Sequence, residues 1–556
     1  MRITLRKKGI IAILLVGIFL CTDCFSSDKN PAVRKPNSEL GLLIKKKVAP
    51  SKKVIRGERI YSAVLVESFY SGRNYQPAWS EDGRLMQMEK LITAVEEAYG
   101  DGLTPDHYHL SLLKSLVGRT KKDVSDPVLM ADLDILLTDA FLTLGCHLSA
   151  GCVNPVTIEA EWFAKRGNVD VASVLEQAVR KKQILEALIK LRPEQGSYAK
   201  LRQALARYRE LLLKGEWPRI SSGPFLKKDV RSERVVELRK RLAASGDLDV
   251  GKAGGGDLFD DNMEQAVTLF QKRHGLKTDG VVGSGTLAAL NVPFKHRIRQ
   301  IELNLERLRW ILGNPEQREI IVNIANFELN VIENGKSVLS MKVVVGKPFQ
   351  QTPVFTAQMT HLIINPSWNV PDSIARKEIL SKIRKDPHYL AEQKMMVLRE
   401  QGFREYEINP ETIDWSQITA NKLSYKFRQE PGPLNPLGQI KFMFPNRFDV
   451  YLHDTPSKRL FSENVRTFSH GCTRIERPIE LAEYLLRNAP GWTREKLLST
   501  IEEGTEQKVL IPHPLNVHFL YLTAWVDEGG SLQFRNDIYK RDPLLDKALR
   551  KNPALN

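Results

Sequence analysis

The feature that most limits the folds open to this 556-residue chain is a change of hydrophobic period part-way along it. Residues 59–228 repeat apolar side chains at the 3.6-residue spacing of amphipathic helices. Residues 318–526 instead alternate apolar and polar side chains, and the pair Asn334-Gly335 between two such runs predicts a tight hairpin. Two periods in separate segments predict a multidomain α+β protein with a helical scaffold region and a mainly β domain.

Composition and charge narrow the class of protein. Hydrophobic residues make up 42% and charged residues 27%, which is typical of a packed globular chain and excludes a disordered, collagenous or polytopic membrane protein. The net charge is +16, but residues 1–60 contain 14 Lys/Arg and 4 Asp/Glu, so this tenth of the chain carries +10. The other 496 residues carry a net charge of only +6, which does not indicate a basic face on a folded module, so no nucleic-acid partner is predicted.

The N-terminus has the pattern of an export signal. An apolar run over residues 10–20 follows a cluster of basic residues, namely Arg2, Arg6, Lys7 and Lys8. The run is shorter than a comfortable transmembrane helix. Residues 1–26 are therefore predicted to be either a cleaved signal peptide or a retained short membrane anchor. Residues 27–58, rich in Lys, Pro and Ser, are predicted to be a basic flexible linker.

Of the five cysteines, Cys21 and Cys24 fall in the predicted leader, and the other three differ in their surroundings in the chain. Cys146 and Cys152 lie close together in the chain, and in an oxidising compartment they either form a local disulfide or remain two small buried side chains. Cys472 has no partner nearby, which marks a potentially reactive thiol. Neither HExxH nor paired CxxC spacing occurs, so no metal and no cofactor is predicted.

A second helical unit spans residues 229–293. Its helices place Val267 and Phe270 on an apolar face, and Gly275 is positioned to end that helix before a Gly-rich turn and a third short helix. The run AVTLFQKRHGLKTDGVVGSGTLAAL closely resembles the small three-helix peptidoglycan-binding module of bacterial cell-wall enzymes. The resemblance implies either glycan binding or a spacer role.

One segment of the β region carries the residues of thiol chemistry. His453 ends an alternating strand, and Ser469, His470, Gly471 and Cys472 follow on a loop before a helix. A nucleophilic cysteine needs an imidazole to take its proton and donors for a developing oxyanion. Both histidines are candidates for that base, and Arg474, two residues after the cysteine, is suited to bind a substrate carboxylate.

This spacing of His, Ser-His-Gly-Cys and Arg resembles the signature of the L,D-transpeptidase catalytic domain, the YkuD-like fold. The flanking RQEPGPLNPLGQIKFMFPN and YLHDTP also resemble the large Gram-negative subfamily typified by YcbB. The resemblance implies a catalytic domain over 318–526. The Lys/Glu-rich and partly helical residues 372–424 predict an insertion into this domain, which the resemblance implies is a capping subdomain. Residues 527–556 are predicted to be a C-terminal tail.

The resemblance also implies roles for the site residues. Cys472 is the nucleophile, and His453 is its proton donor and acceptor. Amides near Cys472 and Thr473 form the oxyanion hole, and Ser469 holds His470 or His453 by a hydrogen bond. The other predicted site residues shape the pocket or bind substrate, and they are Ser469, His470, Gly471, Thr473, Arg474, Tyr451 and Trp368.

The function implied is a periplasmic L,D-transpeptidase that is acylated by peptidoglycan stem tetrapeptides, releases D-alanine and forms 3→3 cross-links with an acceptor stem. Such an enzyme is expected to be a carbapenem target and to work beside other cell-wall synthesis proteins. With water as acceptor, the same acyl-enzyme gives an L,D-carboxypeptidase or endopeptidase. An inactive wall-binding scaffold is a further alternative, against which the intact motif argues. A papain-like protease would lack the peptidoglycan module.

Overall fold

The structure is a computed structural model. It describes residues 39–551 except 50–52, 82–83, 121–125, 159–168, 250, 252–255, 312–317 and 403. The predicted leader over 1–26 lies outside the described residues. No helix in the described ranges is long and apolar enough to cross a membrane.

The N-terminal region is helical, with two short strand pairs. Its helices are α1 Glu39–Lys47, α2 Ala63–Gly72, α3 Met88–Glu97, α4 Leu110–Thr120, α5 Pro127–Ala150, α6 Val171–Lys181, α7 Ile184–Lys190 and α8 Gly196–Leu213. The strand pairs are β1 Val54–Ile55 with β2 Glu58–Arg59, and β3 Ser80–Glu81 with β4 Arg84–Leu85. Helix α5 begins at Asp126, whose carboxylate accepts a hydrogen bond from the Val128 amide, and it is buried along almost its whole length. Helices α1, α2, α3, α4, α6 and α7 pack against it.

The predicted flexible linker over 27–58 is wrong for its described part. Residues 39–47 form helix α1, and Ile44 is fully buried against α5. The carboxylate of Asp132 on α5 forms two ion pairs, one with Lys47 at an N–O distance of 2.5 Å and one with Arg56 at 2.8 Å. Two of the basic residues of this segment therefore act as partners of a buried carboxylate, whereas the Lys-rich composition of the segment predicts solvated coil.

The small module has the predicted three helices, α9 Glu233–Ser245, α10 Asp261–Arg273 and α11 Ser284–Leu290. Val267 and Phe270 are fully buried in its core, as predicted from their spacing. Gly275 has a φ of 63° directly after α10, so the left-handed turn that ends this helix favours glycine. Helix α12, Phe294–Arg309, then packs along α8 and leads into the β region.

The β domain is a closed sheet. Its strands are β5 Arg318–Asn323, β6 Glu328–Glu333, β7 Lys336–Gly346, β8 Phe355–Ile364, β13 Ile440–Met443, β14 Leu452–His453, β15 Thr467–Ser469, β16 Thr473–Ile475 and β17 Gln507–Leu520. Their order is β15-β7-β16-β14-β13-β8-β17-β5-β6, and an added pairing of β6 with β7 closes the ring. The predicted hairpin is confirmed, because Asn334 and Gly335 both have positive φ between paired Glu333 and Lys336.

The inserted subdomain has a sheet and a core of its own. Its helices are α13 Asp372–Ile374, α14 Leu380–Lys385 and α15 Tyr389–Glu392, with a π-helical turn at Ala375–Ile379. Its strands are β9 Trp368–Asn369, β10 Met395–Gln401, β11 Arg404–Ile408 and β12 Tyr425–Gln429, in the order β11-β10-β12-β9. Because β9 and β12 pair with each other, this unit, hereafter the cap, extends over 368–429 and so exceeds the predicted 372–424.

The predicted C-terminal tail over 527–556 is wrong for its described residues. The chain after β17 forms β18 Ala524–Val526, β19 Leu532–Phe534 and α18 Arg541–Arg550, while α16 Pro478–Leu486 and α17 Arg494–Glu502 precede β17. Tyr539 and Leu545 are buried in the same core as the closed sheet. The apolar residues by which this segment packs are few and stand among charged residues, so the sequence pattern does not indicate their burial.

Candidate active site

The predicted nucleophile and base are brought together by the register of two short strands. Strand β14 pairs in parallel with β16, so that Leu452 lies opposite Thr473 and His453 lies opposite Arg474. Leu452 and Thr473 are fully buried in the core. Because successive side chains point to opposite faces, His453 and Arg474 share the other face with Cys472, which directly precedes β16.

The Cys472 thiol is partly buried beside Tyr451. Its Sγ lies 3.7 Å from the carbonyl oxygen of Asp449. Burial raises the pKa of the Cys472 thiol above its usual range, and hydrogen bonds from the backbone and hydroxyl of Tyr451 partly offset that rise. The free site therefore holds a thiol, and the attack on a substrate needs a group that removes its proton.

His453 is almost completely buried, and backbone groups contact its ring. Its Nδ1 lies 2.5 Å from the carbonyl oxygen of Asp454, and the ring also forms a hydrogen bond with the backbone of Pro436. Burial, and then the positive charge of Arg474, lower the pKa of His453 to about 3. The imidazole is thus neutral at physiological pH and available as a general base.

Lys441 is a residue of this face that the sequence analysis did not identify. It lies opposite His453 on β13, and its Nζ is 3.8 Å from the centre of the Tyr451 ring. Burial lowers the pKa of Lys441, while the neighbouring Cys472 opposes that shift. A signal was present in the sequence, because in the run QIKFMF a lysine alternates with the buried Ile440 and Phe442.

The loop before Cys472, hereafter the catalytic loop (residues 469–472), is tied together by Ser469. The Ser469 hydroxyl donates to the carbonyl oxygen of Cys472 at 2.5 Å and accepts from the Gly471 amide at 3.2 Å. The predicted hydrogen bond from Ser469 to His470 or His453 is therefore corrected. Gly471 has a φ of 119°, which explains the glycine at this position.

The prediction that Thr473 shapes the pocket is wrong. Its side chain is fully buried on the core face of the sheet, and its amide donates to the carbonyl oxygen of Tyr451 at 3.2 Å. That amide is consequently not available to an oxyanion. The Gly471 amide is also used, by Ser469, so within the described residues the Cys472 amide is the member of this run without an acceptor.

His470 faces the cap. Its Nε2 lies 2.6 Å from a carboxylate oxygen of Glu378, in the π-helical turn. This contact joins the catalytic loop to the cap. The sequence could not reveal it, because the two residues lie far apart in the chain and Glu378 occurs in a Lys/Glu-rich segment without distinctive spacing.

Comparison with protein families agrees with this geometry. Residues 317–510 match the model described as the L,D-transpeptidase catalytic domain, YkuD. The chain has an L,D-transpeptidase catalytic domain. Residues 231–290 match the "Putative peptidoglycan binding domain", and residues 64–205 match the "Scaffold domain".

Individual relatives cover parts of the chain. A Haemophilus influenzae protein named "Putative L,D-transpeptidase" is 34% identical over 253 residues, which is 45% of this chain and 49% of that protein. The N-acetylmuramoyl-L-alanine amidase CwlM of Mycobacterium tuberculosis is 40% identical over 80 residues, 13% of this chain and 20% of that protein. The chain thus spans about half the length of the first relative. A solved L,D-transpeptidase from Stackebrandtia nassauensis is 13% identical, covering 55% of this chain and 96% of that chain with a TM-score of 0.21.

Arg474 and Trp368 are two further residues of the predicted site. Arg474 has a buried Nε without a hydrogen-bond partner among the described residues, and burial lowers its pKa. An unpaired guanidinium on the same face as Cys472 fits the predicted carboxylate contact. Trp368 lies on β9 and packs partly buried against the cap core, so it belongs to the connection between the L,D-transpeptidase sheet and the cap.

Cys146 and Cys152 lie in the scaffold region, outside this domain. Cys146 lies within α5, four residues before its end, Cys152 follows the helix, and no disulfide joins them in the structure. Of the two alternatives in the sequence analysis, the structure therefore has separate thiols packed against the scaffold core. The described residues include no group of His, Cys, Asp and Glu arranged to hold a metal ion.

Proposed function

We propose that this protein is a peptidoglycan L,D-transpeptidase that forms 3→3 cross-links between stem peptides. The observation that carries the proposal is the shared face of β14 and β16. There Cys472 and a neutral His453 lie in a domain that matches this family. The substrates, the acceptor and the residue roles that follow are part of the proposal.

Acylation begins when His453 takes the thiol proton of Cys472. The sulfur attacks the carbonyl that joins the L-centre of meso-diaminopimelate to the terminal D-alanine of a tetrapeptide. The Cys472 amide donates to the resulting oxyanion. When the tetrahedral intermediate collapses, the C–N bond breaks, the imidazolium returns its proton to the leaving D-alanine amine, and a thioester remains on Cys472.

Cross-linking reverses these proton transfers with a new nucleophile. The side-chain amine of an acceptor stem attacks the thioester, and His453 removes the proton of that amine. Collapse then breaks the C–S bond, restores the Cys472 thiol and leaves an amide between two stems. Arg474 supports binding of a donor carboxylate through its unpaired guanidinium.

Other parts of the chain support the same setting. The three-helix module matches a peptidoglycan-binding family, which favours peptidoglycan as the partner of the whole protein. An enzyme acting on peptidoglycan works outside the cytoplasm. A periplasmic location, with residues 1–26 as export signal or short inner-membrane anchor, is the finer proposal, as is cooperation with other cell-wall synthesis proteins.

The test is mass spectrometry of the purified protein after incubation with isolated disaccharide-tetrapeptides. We expect an acyl-enzyme and a 3→3 cross-linked dimer, and with a carbapenem we expect a single covalent adduct. Cys472→Ala should abolish all three products, whereas the matched variant Cys146→Ala should retain them.

The products also separate the alternatives. Released tripeptide without dimer would indicate water as acceptor and hence an L,D-carboxypeptidase. Absence of any acyl-enzyme and of any carbapenem adduct on the wild-type protein would contradict the proposal and favour a non-catalytic wall-binding role.

A further inference from the structure

The carbonyl group directly before the nucleophile is held by a residue from another part of the sheet. The Thr352 hydroxyl donates to the carbonyl oxygen of Gly471 at 2.8 Å, and it accepts from the Gly346 amide at 3.0 Å. Thr352 is fully buried. The hydroxyl has a single proton. Because it accepts from the Gly346 amide, it donates that proton to the carbonyl oxygen of Gly471.

Fixing this carbonyl fixes the amide of the same peptide unit. The described peptide bonds are all trans, and in a trans peptide the C=O and N–H groups point in opposite directions. A Gly471 carbonyl bound to Thr352 beneath the loop therefore directs the Cys472 amide away from Thr352. That amide is the one in the run from Gly471 to Thr473 that has no acceptor among the described residues.

Thr352 is itself held by the chain beyond β19. Its amide donates to the Tyr539 hydroxyl at 3.3 Å, and that hydroxyl donates to the carbonyl oxygen of Gly346 at 2.6 Å. Arg541, which is fully buried, donates to the side chain of the adjacent Gln351 at 2.8 Å. The catalytic loop is thus supported by a continuous path of buried hydrogen bonds that ends in the segment predicted as a tail.

We infer that Thr352 is a positioning residue for the oxyanion donor, and that Tyr539 supports it. The inference rests on the proposed function, since it assigns the Cys472 amide to the oxyanion of acylation. Thr352 does not contact the reacting atoms. It acts through the Gly471–Cys472 peptide unit, whose orientation it sets before substrate binds.

Two reagents separate positioning from a general structural role. Acylation of Cys472 by a carbapenem develops an oxyanion, whereas alkylation of the same thiol by iodoacetamide does not. The variant Thr352→Val removes the hydroxyl at nearly constant shape, and Thr352→Ser keeps it. Rates of both reactions and a melting curve are measured for each variant of the full chain.

We expect Thr352→Val to slow acylation by about 10- to 100-fold, somewhat less than the loss of an oxyanion-hole donor outright. Its alkylation rate should stay within about twofold of wild type, because removing the hydroxyl leaves the thiol itself in place. Thr352→Ser should restore most of the acylation rate. Acylation unchanged in Thr352→Val, or acylation and alkylation lowered equally, would overturn the inference.

A second variant keeps the test decisive if Thr352→Val does not fold. Tyr539→Phe retains the ring and removes the hydroxyl that binds Thr352, and it should lower acylation several-fold with alkylation unchanged. An unaffected acylation rate in a folded Tyr539→Phe protein would then count against the inference. Failure of the proposed function looks different, because then the wild-type protein itself forms no carbapenem adduct, and the inference falls with it.

Discussion

The catalytic loop is contacted from two sides by regions of opposite character. On one side Thr352 binds the Gly471 carbonyl, deep in the core that the closed sheet shares with the C-terminal segment. On the other side the cap reaches His470 through Glu378, and these two side chains are 27% and 42% exposed. One support is a neutral buried hydrogen bond, and the other is a solvated contact between ionisable groups.

Only one of these two supports is suited to hold the catalytic loop in place. A buried hydrogen bond cannot be exchanged for water without leaving polar groups unpaired, whereas an exposed pair is screened by solvent and salt. The cap also has its own hydrophobic core, separate from that of the sheet. We therefore expect the geometry of Cys472 to be set by the sheet and its C-terminal segment, with the cap contributing little free energy through Glu378.

The largest effect on the sheet side is expected at the base. His453→Ala should slow carbapenem acylation by about 10²- to 10⁴-fold, equivalent to about 2.7–5.5 kcal/mol. Because burial and Arg474 lower the pKa of His453 to about 3, the wild-type rate should not fall as pH drops through the usual histidine range. In His453→Ala, raising the pH towards ionisation of the thiol should recover part of the rate.

The control for this measurement is His361→Ala, a partly exposed histidine on β8 of the same sheet, which should leave acylation unchanged. A wild-type rate that falls with a midpoint near pH 6.5, the ordinary histidine pKa, would contradict a neutral buried base.

The next effect tests whether the C-terminal segment belongs to the core. Leu545 on α18 is fully buried, and Leu545→Ala should lower the free energy of unfolding by about 2–5 kcal/mol. The adjacent Leu544 is 41% exposed, and Leu544→Ala should change the free energy of unfolding by no more than about 0.5 kcal/mol. Denaturant unfolding of the two variants gives the comparison. Equal stabilities would mean that this segment does not support the catalytic loop.

A smaller effect is expected from the charge beside the thiol. Lys441→Met should raise the pKa of Cys472, because its ammonium group favours the thiolate. A higher pKa leaves less thiolate at neutral pH, so alkylation there should be several-fold slower than in the wild-type protein. The rate of iodoacetamide alkylation as a function of pH measures this shift directly.

The matched control is Lys508→Met. Lys508 lies on β17 and, like Lys441, pairs with Ile363 on β8, but it is exposed. Its removal should leave the alkylation profile unchanged. A shift of similar size in both variants would show that Lys441 acts only through the general field of the protein.

The smallest effect is expected on the cap side. Glu378→Gln should change acylation by no more than about fivefold, since an exposed ion pair contributes about 0.2–1 kcal/mol. The difference from wild type should shrink further at high salt. The rates of carbapenem acylation of the variant and the wild-type protein, measured at low and at high ionic strength, test both expectations. A loss as large as that of His453→Ala would reverse the comparison and make the cap the dominant support.

The sequence predicted those features that depend on local pattern. Alternation around Asn334-Gly335 predicted the β6–β7 hairpin, and helical spacing predicted the buried Val267 and Phe270. The cysteine and histidine of the site were identified because a short motif brings several chemical groups into one segment. Their catalytic roles remain predictions.

Other features were missed because they depend on residues distant in the chain. Lys441 becomes part of the site only when β13 pairs with β14, and Glu378 only when the cap folds over the catalytic loop. The C-terminal segment was mistaken for a tail because its apolar residues are few and separated by charged ones. Nothing in the spacing of these apolar residues indicates that the Tyr539 hydroxyl donates to the carbonyl oxygen of Gly346 at the end of β7.

The fold class, the order of the regions and the segment that carries the reactive groups were thus predictable from the sequence. Hydrophobic period, turn residues and motif spacing are encoded within a few neighbouring residues. Tertiary contacts alone fix which amide near Cys472 stays available, which backbone groups hold the His453 ring and what supports the catalytic loop. Each of these depends on hydrogen bonds and burial from separate strands, which exist only once the sheet has closed.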